Sequence, residues 1–547
     1  MTRTGGQVVA DHLVAQGVTT AFGVAGESFL PVLDAIWQRR DRLRFVPARH
    51  EATASHMAEA WGKLTGRPGV CLVTRGPGAA HAAVGVHTAA QDSTPLLLLV
   101  GQVRREHRGR EAFQEVDLAA LFAPIARWAV EVERADDIPA VLARAWEAML
   151  GDRPGPVVVA LPEDVLREQT DAGDVPLIIP TWREPEADDV DYLHGLVADA
   201  ERPLIVVGGP RWLQGTGDAL AAWAQASGVP VAAQFRRQDR IDNASPAYVG
   251  DLGLGCNPAL EARVAEADLV VLLGGRFGEI PSGGYARLPV EPRAGRRLVH
   301  VHADPAELGR IWQPDLGIAA AAPLVVAGLA ALGPLDPAPR RGWAAELRAD
   351  YAAWSEPAPR GLAGVDLGAV VAHLRDALPA DAVVANGAGN YTVWLHRYFR
   401  HRRVGTQLAP TSGAMGYGIP AAIAAALHDP TRTAVALAGD GCFQMAGHEL
   451  ATAVQEGLPI VVLVCDNGML GTIRMHQERD YPGHVEGTEL RNPDFAALAA
   501  AYGCHAERVE RDAEFPAALE RSLAAGRPAV IHLLCDPAAI TPGALLR

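Results

Sequence analysis

The stretch that decides the fold spans residues 433–471 and reads TAVALAGDGCFQMAGHELATAVQEGLPIVVLVCDNGMLG. Two short apolar runs in it, residues 434–438 and 460–465, have the length and β-branched content of buried parallel strands. The Ala-rich segment between them, residues 447–456, has helical spacing. We therefore predict a strand-helix-strand unit of a parallel sheet.

Each of these two strands is followed by an oxygen-bearing side chain at a glycine turn. Asp440 lies between Gly439 and Gly441, and Asn467 precedes Gly468. Ligands of open parallel sheets bind at the carboxyl ends of the strands, where these side chains would meet. Carboxylate, amide and backbone carbonyl oxygens suit Mg²⁺, and glycines let the backbone approach an anion. The pattern indicates a magnesium-diphosphate site, although Asp-Gly and Asn-Gly are also ordinary turn dipeptides.

Composition narrows the class of protein. The chain has 547 residues and a formal net charge of −15, which argues against nucleic acid or an anionic membrane surface as a main partner. Its six cysteines form no C-x-x-C pair, which suits reduced thiols in a cytoplasm. The first residues lack the apolar core of a signal peptide, so we expect no export and a cytoplasmic location. The uncharged segment 317–335 is interrupted by Pro323 and is predicted to be a strand or loop followed by a short packed helix.

Three α/β domains are predicted, each a doubly wound parallel sheet: residues 1–170, 185–335 and 355–547. The first domain echoes the third. LVTRGPG at residues 72–78 leads through a small-residue helix to TPLLLLVGQ at 94–102, as LAGDG leads to LPIVVLVCDN. The middle domain lies between Pro-rich linkers, and its Gly208-Gly209 turn is only weak support for nucleotide binding.

Glu51 stands in the first turn of an amphipathic helix predicted for RHEATASHMAEAWGKLTG, residues 49–66. A carboxylate there is favoured by the helix dipole alone, so its position does not prove a function. Glu59 on the same helix is predicted to be an ordinary solvent-exposed acid.

The chain resembles the thiamine-diphosphate-dependent enzymes of the acetolactate synthase group along nearly its whole length. The resemblance rests on motifs that occur in the family's order: RHEATASHMAEAW (49–61), TRGPGAAHAAVGVHTAAQDSTPLLLLVGQV (74–103), AFQEVD (112–117), RPGPVVVALPEDV (153–165), SGAMGYGIPAAIAA (412–425), and GDG (439–441) followed by Asn467. In that family the first domain binds the aminopyrimidine of the cofactor and the third binds its diphosphate through Mg²⁺. Because the two domains of one site come from different subunits, a homodimer is the minimum expected unit, and a homotetramer is common.

The resemblance also implies roles for individual residues. Glu51 would contact the pyrimidine ring nitrogen and favour its imino form, while Gln114 with Phe113 would reach the reacting centre. Asp440, Asn467 and the backbone carbonyl of Met469 would ligate the metal. The remaining cofactor contacts would come from Gly389, Asn390, Tyr391, Met415 as the wedge that bends the cofactor, Gly439, Gly441, Cys442 and Gly471. The cofactor would supply the electron sink for decarboxylating a 2-oxo acid.

Several positions depart from the family pattern. His476 stands where acetolactate synthases usually carry a Trp that shapes the acceptor pocket. Glu27 occupies a place in the family's glycine pair and would add a carboxylate near the substrate. In the glycine-rich turn Arg75 replaces Ser or Thr and His81 replaces Asn, and either could face the site or pack away from it. The preferred acceptor is therefore expected not to be 2-oxobutyrate but an aldehyde or a more oxygenated carbonyl compound, with an ordinary acetolactate synthase as the alternative.

The signs for a bound flavin are mixed. Arg153, Gly208, Gly209 and Arg276 match the positions that hold FAD in acetolactate synthases, but the acidic pair and Arg expected after Arg276-Phe277 are replaced by Gly278, Glu279 and Ile280. FAD is therefore expected, with another adenine nucleotide or an empty pocket as alternatives.

The leading functional hypothesis is a carboligase that decarboxylates a pyruvate-like 2-oxo acid and joins the fragment to a carbonyl acceptor. A simple decarboxylase is the first alternative, weakened because the region that often carries a histidine pair has only His107. A 2-hydroxyacyl-CoA lyase is weakened because the chain ends soon after Cys535. A cofactor-binding paralogue without catalysis is the alternative from a different class, and the presence of Glu51, Asp440 and Asn467 argues against it.

Overall fold

The computed structural model describes residues 2–291 and 294–546. The chain divides into two compact units. Unit 1 runs through Thr181 and also takes in Pro410–Pro430 and Gln444–Leu458, while unit 2 comprises Trp182–Ala409, Thr431–Phe443 and the chain from Pro459 onward.

The first third of the chain alternates strands with helices. Its strands are β1 (Arg3–Thr4), β2 (Thr20–Gly23), β3 (Arg44–Pro47), β4 (Gly69–Val73), β5 (Leu96–Gln102), β6 (Trp128–Glu131), β7 (Pro156–Pro162) and β8 (Gln169–Thr170). Its helices are α1 (Gly5–Ala15), α2 (Leu30–Trp37), α3 (Glu51–Thr65), α4 (Gly76–Asp92), α5 (Leu118–Phe122), α6 (Ile138–Leu150) and α7 (Glu163–Arg167).

The middle third begins unit 2. Its strands are β9 (Pro203–Val207), β10 (Val231–Gln234), β11 (Tyr248–Leu252), β12 (Leu269–Leu273), β13 (Arg297–Val301) and β14 (Leu316–Ile318). Its helices are α8 (Ala187–Asp199), α9 (Gln214–Ser227), α10 (Pro258–Glu266), α11 (Ala322–Leu332) and α12 (Arg341–Trp354). Strand β14 followed by α11 confirms the prediction for residues 317–335.

The last third carries a third set of elements. Its strands are β15 (Val383–Asn386), β16 (Gln407–Leu408), β17 (Ala434–Gly439), β18 (Val461–Asp466), β19 (His505–Val509), β20 (Ala529–Leu534), β21 (Ala539–Thr541) and β22 (Ala544–Leu545). Its helices are α13 (Leu367–Ala377), α14 (Tyr391–Tyr398), α15 (Gly418–His428), α16 (Asp440–Gln444), α17 (Leu450–Gln455), α18 (Gly471–Asp480), α19 (Phe495–Ala501) and α20 (Phe515–Ala524). Among the described residues, none of these or the earlier helices is long and apolar enough to cross a membrane.

Three six-stranded parallel sheets result, which confirms the predicted fold class. The first has the order β3-β2-β4-β5-β7-β6 and the third β16-β15-β17-β18-β20-β19, so both follow the pattern 2-1-3-4-6-5 in their own strand numbers. The middle sheet, β11-β10-β9-β12-β13-β14, follows 3-2-1-4-5-6, the order of dinucleotide-binding folds. The central strands β5, β7 and β17 are buried throughout because helices cover both faces of such sheets. The predicted domain boundaries stay predictions.

A buried polar network joins helix α3 to neighbouring segments of unit 1. Glu59 belongs to it, and the prediction that this residue is solvent-exposed is wrong. Glu59 is fully buried rather than exposed. Its carboxylate accepts hydrogen bonds from the Tyr417 hydroxyl and from Thr94 Oγ1 at 2.7 Å, and it lies 3.2 Å from Lys63 Nζ. Lys63 also pairs with buried Asp92 at 2.9 Å. Helical periodicity alone could not reveal this network, because Tyr417 lies 358 residues away in the sequence.

Candidate functional site

Glu51 lies at the carboxyl edge of the first sheet because the local sequence starts a helix there. His50 is the N-cap of α3, and its Nδ1 accepts the Ala52 N–H at 3.1 Å. The helix ends at Gly66, whose φ of 66° only glycine adopts readily. The Glu51 side chain is largely buried, and its Oε2 lies 2.9 Å from Nδ1 of the half-exposed His81. His81 therefore faces Glu51.

A second residue holds the turn before Glu51. Glu449 is fully buried, and its Oε1 accepts the backbone N–H groups of Arg49 at 2.8 Å and His50 at 3.2 Å and the Thr53 hydroxyl. Sequence analysis missed Glu449. Its one sequence signal is a carboxylate inside an otherwise Ala-rich helical segment.

Glu27 and Arg75 meet at the same edge of the first sheet. Arg75 is buried, and its Nη1 donates to Glu27 Oε1 at 2.8 Å, while Nη2 lies 3.4 Å from Glu163 Oε2. The Glu27 side chain is 70% exposed. The buried Arg75 Nε has no hydrogen-bond partner among the described residues. Glu163 also accepts a hydrogen bond from Arg167 Nη2 at 3.0 Å, so the cluster joins two guanidinium groups to two carboxylates.

Gln114 and Phe113 lie close to this cluster. The Gln114 backbone has a φ of 64°, and its carbonyl accepts the N–H of Gly76, the first residue of α4, at 3.0 Å. The residue before it, Phe113, is 74% exposed. Within unit 1 the structure therefore brings Glu27 and Gln114 to the glycine-rich turn that also faces Glu51. Met415 lies in a turn before α15 and is half-buried.

The third sheet presents a carboxylate pair at its equivalent edge. Asp440 begins α16 directly after β17, and Asp466 ends β18. Asn492 bridges them, because its Nδ2 donates to Asp440 Oδ2 and to Asp466 Oδ1 at 2.8 Å each. Sequence analysis missed Asp466 and Asn492, although Asp466 directly precedes the predicted Asn467.

The pKa values of the two carboxyls are shifted in opposite directions. Burial is the main cause that raises the pKa of Asp440 to about 6, and the neighbouring Asp466 adds to it. Burial opposes ionisation of Asp466 too, but hydrogen bonds from His532 at 2.9 Å and from Asn492 outweigh it and lower the pKa of Asp466. A buried carboxyl pair of this kind is stabilised in its ionised form by a cation.

The other residues predicted for this edge lie in the segments that directly follow its strands β15, β17 and β18. An added Cβ on Gly471 would lie 3.2 Å from Asn467 Nδ2 and 3.9 Å from the Met469 side chain, so these three residues are close together. Thr472 donates to Asn390 Oδ1 at 2.9 Å. The Gly441 N–H donates to Asp440 Oδ1 at 2.8 Å.

The Tyr391 ring packs directly against two glycines of this edge, Gly389 and Gly439. Its ring would lie 3.0 Å from a Cβ at Gly439 and 2.9 Å from one at Gly389, and its hydroxyl lies 3.5 Å from buried Cys442 Sγ. Glycine is therefore favoured strongly at 389, where φ is also 144°, and a side chain at 439 would require the Tyr391 ring to shift slightly. On α18, His476 is half-buried, and its Nδ1 has no hydrogen-bond partner among the described residues.

In the middle sheet, the strand order reverses between β9 and β12, where a crevice would open. Gly208 and Gly275 lie there, and a Cβ on either would contact the Gln234 side chain at 2.6 or 2.3 Å. Gly209 has a φ of 77°, and Arg276 follows the turn, half-buried. The buried Gln234 Nε2 has no hydrogen-bond partner among the described residues.

Arg153, the fourth residue predicted for FAD, lies in unit 1. Its Nε donates to Ser93 Oγ and its Nη2 to the Ala90 carbonyl, both at 3.2 Å. These contacts tie it to the end of α4.

Comparison with known families assigns a class to this arrangement. Models described as the N-terminal TPP binding domain, the central domain and the C-terminal TPP binding domain of thiamine pyrophosphate enzymes match residues 3–121, 190–329 and 387–533. Thiamine pyrophosphate is another name for thiamine diphosphate. The fold and these matches together define a thiamine-diphosphate-dependent enzyme.

Similar proteins narrow the class further. The chain is 30% identical to the acetolactate synthase isozyme 2 large subunit of Escherichia coli, over 97% of this chain and 95% of that protein. It is 32% identical to an acetolactate synthase of Mycobacterium bovis, over 93% and 84%, and 29% identical to a probable acetolactate synthase large subunit of Methanocaldococcus jannaschii, over 98% and 93%. The chain belongs to the acetolactate synthase-like family of thiamine-diphosphate enzymes.

Proposed function

We propose that this enzyme decarboxylates a 2-oxo acid of the pyruvate type and joins the remaining fragment to a second carbonyl compound. The observation that carries the proposal is the pair of sheet edges, one with Glu51 at a helix start and one with the Asp440–Asp466 pair. Its support also comes from relatives named acetolactate synthases across nearly the whole chain.

The residues at the carboxyl edge of the third sheet fit a magnesium-bound diphosphate. Asp440, Asn467 and the Met469 carbonyl are hard oxygen donors, and the raised pKa of Asp440 marks a carboxyl that gains from a cation. Gly389, Asn390, Tyr391, Gly439, Gly441, Cys442 and Gly471 would hold the diphosphate end, and Met415 the bend of the cofactor. Thiamine diphosphate, when bound, supplies the electron sink that makes loss of CO₂ from a 2-oxo acid feasible.

By the same resemblance, the carboxyl edge of the first sheet in the neighbouring subunit would act on the aminopyrimidine end of the cofactor. Glu51 would hold the proton at the pyrimidine ring nitrogen, and its burial limits competition from water. Gln114 and the exposed ring of Phe113 would line the reacting centre and orient the substrate.

The Arg75 cluster supports a polar, uncharged acceptor. Because Arg75 is already paired with Glu27 and Glu163, its guanidinium is not left to balance an acceptor carboxylate. The exposed Glu27 would repel such a carboxylate and accept a hydrogen bond from a hydroxyl group instead. His476 with its unpartnered Nδ1 would add a second polar contact.

A product assay tests both parts of the proposal. The holoenzyme is incubated with pyruvate and competing acceptors, 2-oxobutyrate and a hydroxyaldehyde, and CO₂ and ligation products are measured by mass spectrometry. We expect CO₂ release and a preference for the hydroxyaldehyde. Wild-type enzyme that releases no CO₂ from any 2-oxo acid would contradict the proposed activity.

Substitution of Glu27 tests the acceptor separately. Glu27→Gln should shift the product ratio toward 2-oxobutyrate by about tenfold, within the range that a pocket contact controls. His476→Trp should shift it in the same direction. Acetolactate-type products that dominate in wild type and keep their ratio in both variants would show an ordinary acetolactate synthase.

We also propose that an adenine nucleotide, with FAD as the first candidate, binds at the middle-sheet crevice. The unpartnered Gln234 Nε2 beside Gly208 and Gly275 offers a donor to a phosphate oxygen, and Gly209 and Arg276 lie in the adjoining turns. Arg153 gives this proposal less support, because its guanidinium is tied to the end of α4. The visible absorbance of the purified protein, and the nucleotide released from it on denaturation, identify the occupant.

Domain boundaries and assembly complete the proposal. We propose domains at residues 1–170, 185–335 and 355–547, a homodimer as the minimum unit and a homotetramer as the assembled enzyme. The six cysteines, none of which forms a disulfide in the described part of the chain, favour a cytoplasmic location. Light scattering with and without cofactor measures the assembly.

A further inference from the structure

The two carboxylate oxygens of Glu51 have different surroundings. Oε2 lies 2.9 Å from His81 Nδ1. Oε1 accepts no hydrogen bond among the described residues, and Gly78 lies beside it, since an added Cβ there would stand 3.5 Å away. One oxygen of Glu51 is thus engaged by the protein, and the other is free for a ligand.

The His81 ring is held in place by a neighbouring imidazole. It packs against His50 with ring centroids 4.5 Å apart and an interplanar angle of 30°. The His50 ring is itself fixed, because its Nδ1 accepts the Ala52 N–H. His448 packs against His50 as well, with centroids 5.8 Å apart. The aromatic cluster therefore presents His81 Nδ1 to Glu51 in one orientation.

Glu51 and the two nearest histidines are also close enough to share a metal ion, since ligand atoms of His50, Glu51 and His81 lie within 4.8 Å of one another. The N-cap argues against it. A neutral imidazole whose Nδ1 accepts a hydrogen bond carries its proton on Nε2, so neither nitrogen of His50 is open to a metal without breaking the cap. The contact between His81 and Glu51 is therefore a hydrogen bond between protein groups.

We propose that His81 is a positioning residue for Glu51. Its Nδ1–H donates to Oε2 and so directs Oε1 toward the ring nitrogen of the cofactor's aminopyrimidine. This role rests on the proposed function, because it requires Glu51 to meet the cofactor. It differs from the family pattern noted above, in which an Asn stands at the place of His81, and an Asn amide could donate the same hydrogen bond.

Calorimetric titration of the full-length protein with thiamine diphosphate in excess Mg²⁺ tests this role. His81→Ala should weaken cofactor affinity by about tenfold to a hundredfold, the range for a lost hydrogen bond to a charged group. His81→Asn should restore most of the affinity. The matched control is His87→Ala, since His87 is exposed on the same helix α4. The circular-dichroism signal of the imino tautomer should fall in His81→Ala and return in His81→Asn.

A double-mutant cycle separates positioning from general structural damage. In a Glu51→Ala background, His81→Ala should have no further effect on cofactor affinity, because the two residues act as one unit. Additive losses would overturn the role of His81, as would equal affinities of His81→Ala and His87→Ala. Wild-type protein that does not bind thiamine diphosphate would instead overturn the proposed function, and this role with it.

Discussion

The first and third sheets share one strand order, yet their equivalent edges carry opposite kinds of chemistry. At the first edge the Glu51 carboxylate contacts an imidazole, and Glu27 is paired with Arg75. The third has two carboxylates joined by the amide of Asn492. The comparison teaches that the strand order only creates an edge where side chains converge, and that the first residues after each strand decide what binds there.

The carboxyl edges of the first and third sheets also differ in how the surrounding structure fixes their carboxylates. Glu51 stands on α3, a fifteen-residue helix whose start is fixed by the His50 cap and by Glu449. Asp440 opens α16, a helix of five residues, and its partner Asn492 lies in a connection without regular structure. The first edge is therefore pre-organised by the protein, whereas the third is expected to become more ordered when a cation binds.

The largest expected effect comes from removing the anchor of the third edge. Asp440→Ala should abolish the joint stabilisation by thiamine diphosphate and Mg²⁺, because metal and diphosphate share ligands. Thermal shift measured with each ligand and with both is the test. Asp480→Ala, at an exposed position on α18, is the control. Equal joint shifts in wild type and Asp440→Ala would remove the metal assignment.

At the first edge, Glu51→Gln preserves shape but cannot hold the proton at the pyrimidine nitrogen. We expect cofactor binding to persist while proton exchange at the thiazolium carbon slows by roughly a hundredfold or more. Proton NMR of the bound cofactor measures the exchange, with Glu147→Gln, exposed on α6, as control. If exchange is unchanged, the acid-base role belongs to another residue.

The buried polar network around Glu59 should contribute to the stability of the fold and not to the catalytic reaction. Glu59→Ala leaves Lys63 paired with Asp92 but removes the acceptor of the buried Tyr417 and Thr94 hydroxyls, and it should cost about 2–4 kcal/mol. Glu59→Gln keeps an acceptor for Tyr417 and should cost less. Hydrogen exchange of α3 measures both. A loss below about 1 kcal/mol in Glu59→Ala would show that the network adds little to stability.

The smallest effect concerns pH. Burial lowers the pKa of His56 from 6.5 to about 3, so the unfolded chain takes up a proton that the folded chain refuses. The full stability is present above pH 6.5 and is lost as pH falls toward 3, by about 1.4 kcal/mol per pH unit from this residue.

Neither ring nitrogen of His56 has a hydrogen-bond partner among the described residues, so His56→Phe should fold. Urea unfolding between pH 7 and 5 should show a shallower loss of stability in that variant. His87→Phe, at an exposed position, should follow the wild type. A wild-type slope in His56→Phe would mean that His56 is not the group responsible.

Much of this arrangement could be predicted from the sequence because it depends on local pattern. Buried strands such as β17 and β18 are continuous apolar runs, and a helix was correctly predicted at Glu51, although residues 53–60 are buried on all sides and not on one face only. The resemblance to thiamine-diphosphate enzymes added the expected roles of Glu51 and Asp440. Family membership is confirmed by matches in all three regions of the chain.

What sequence reasoning missed depends on contacts between distant residues. Asn492 reaches Asp440 across 52 residues, and Glu449 reaches Arg49 across 400, so no local period marks either one. Glu59 was misjudged because its partner Tyr417 is equally remote. The orientations of Arg75 and His81 were left open because a side chain's direction in a glycine-rich turn depends on the neighbouring strands.

Unit 1 is assembled from three separate segments of the sequence, which has a consequence for its folding during synthesis on the ribosome. Roughly 280 residues separate Thr181 from Leu458, and at about 5–20 residues per second their translation takes tens of seconds. For most of that delay α3 exists without Tyr417 and Glu449, so its polar network and its starting turn are incomplete. We expect the nascent first domain to rely on chaperones until the later segments emerge.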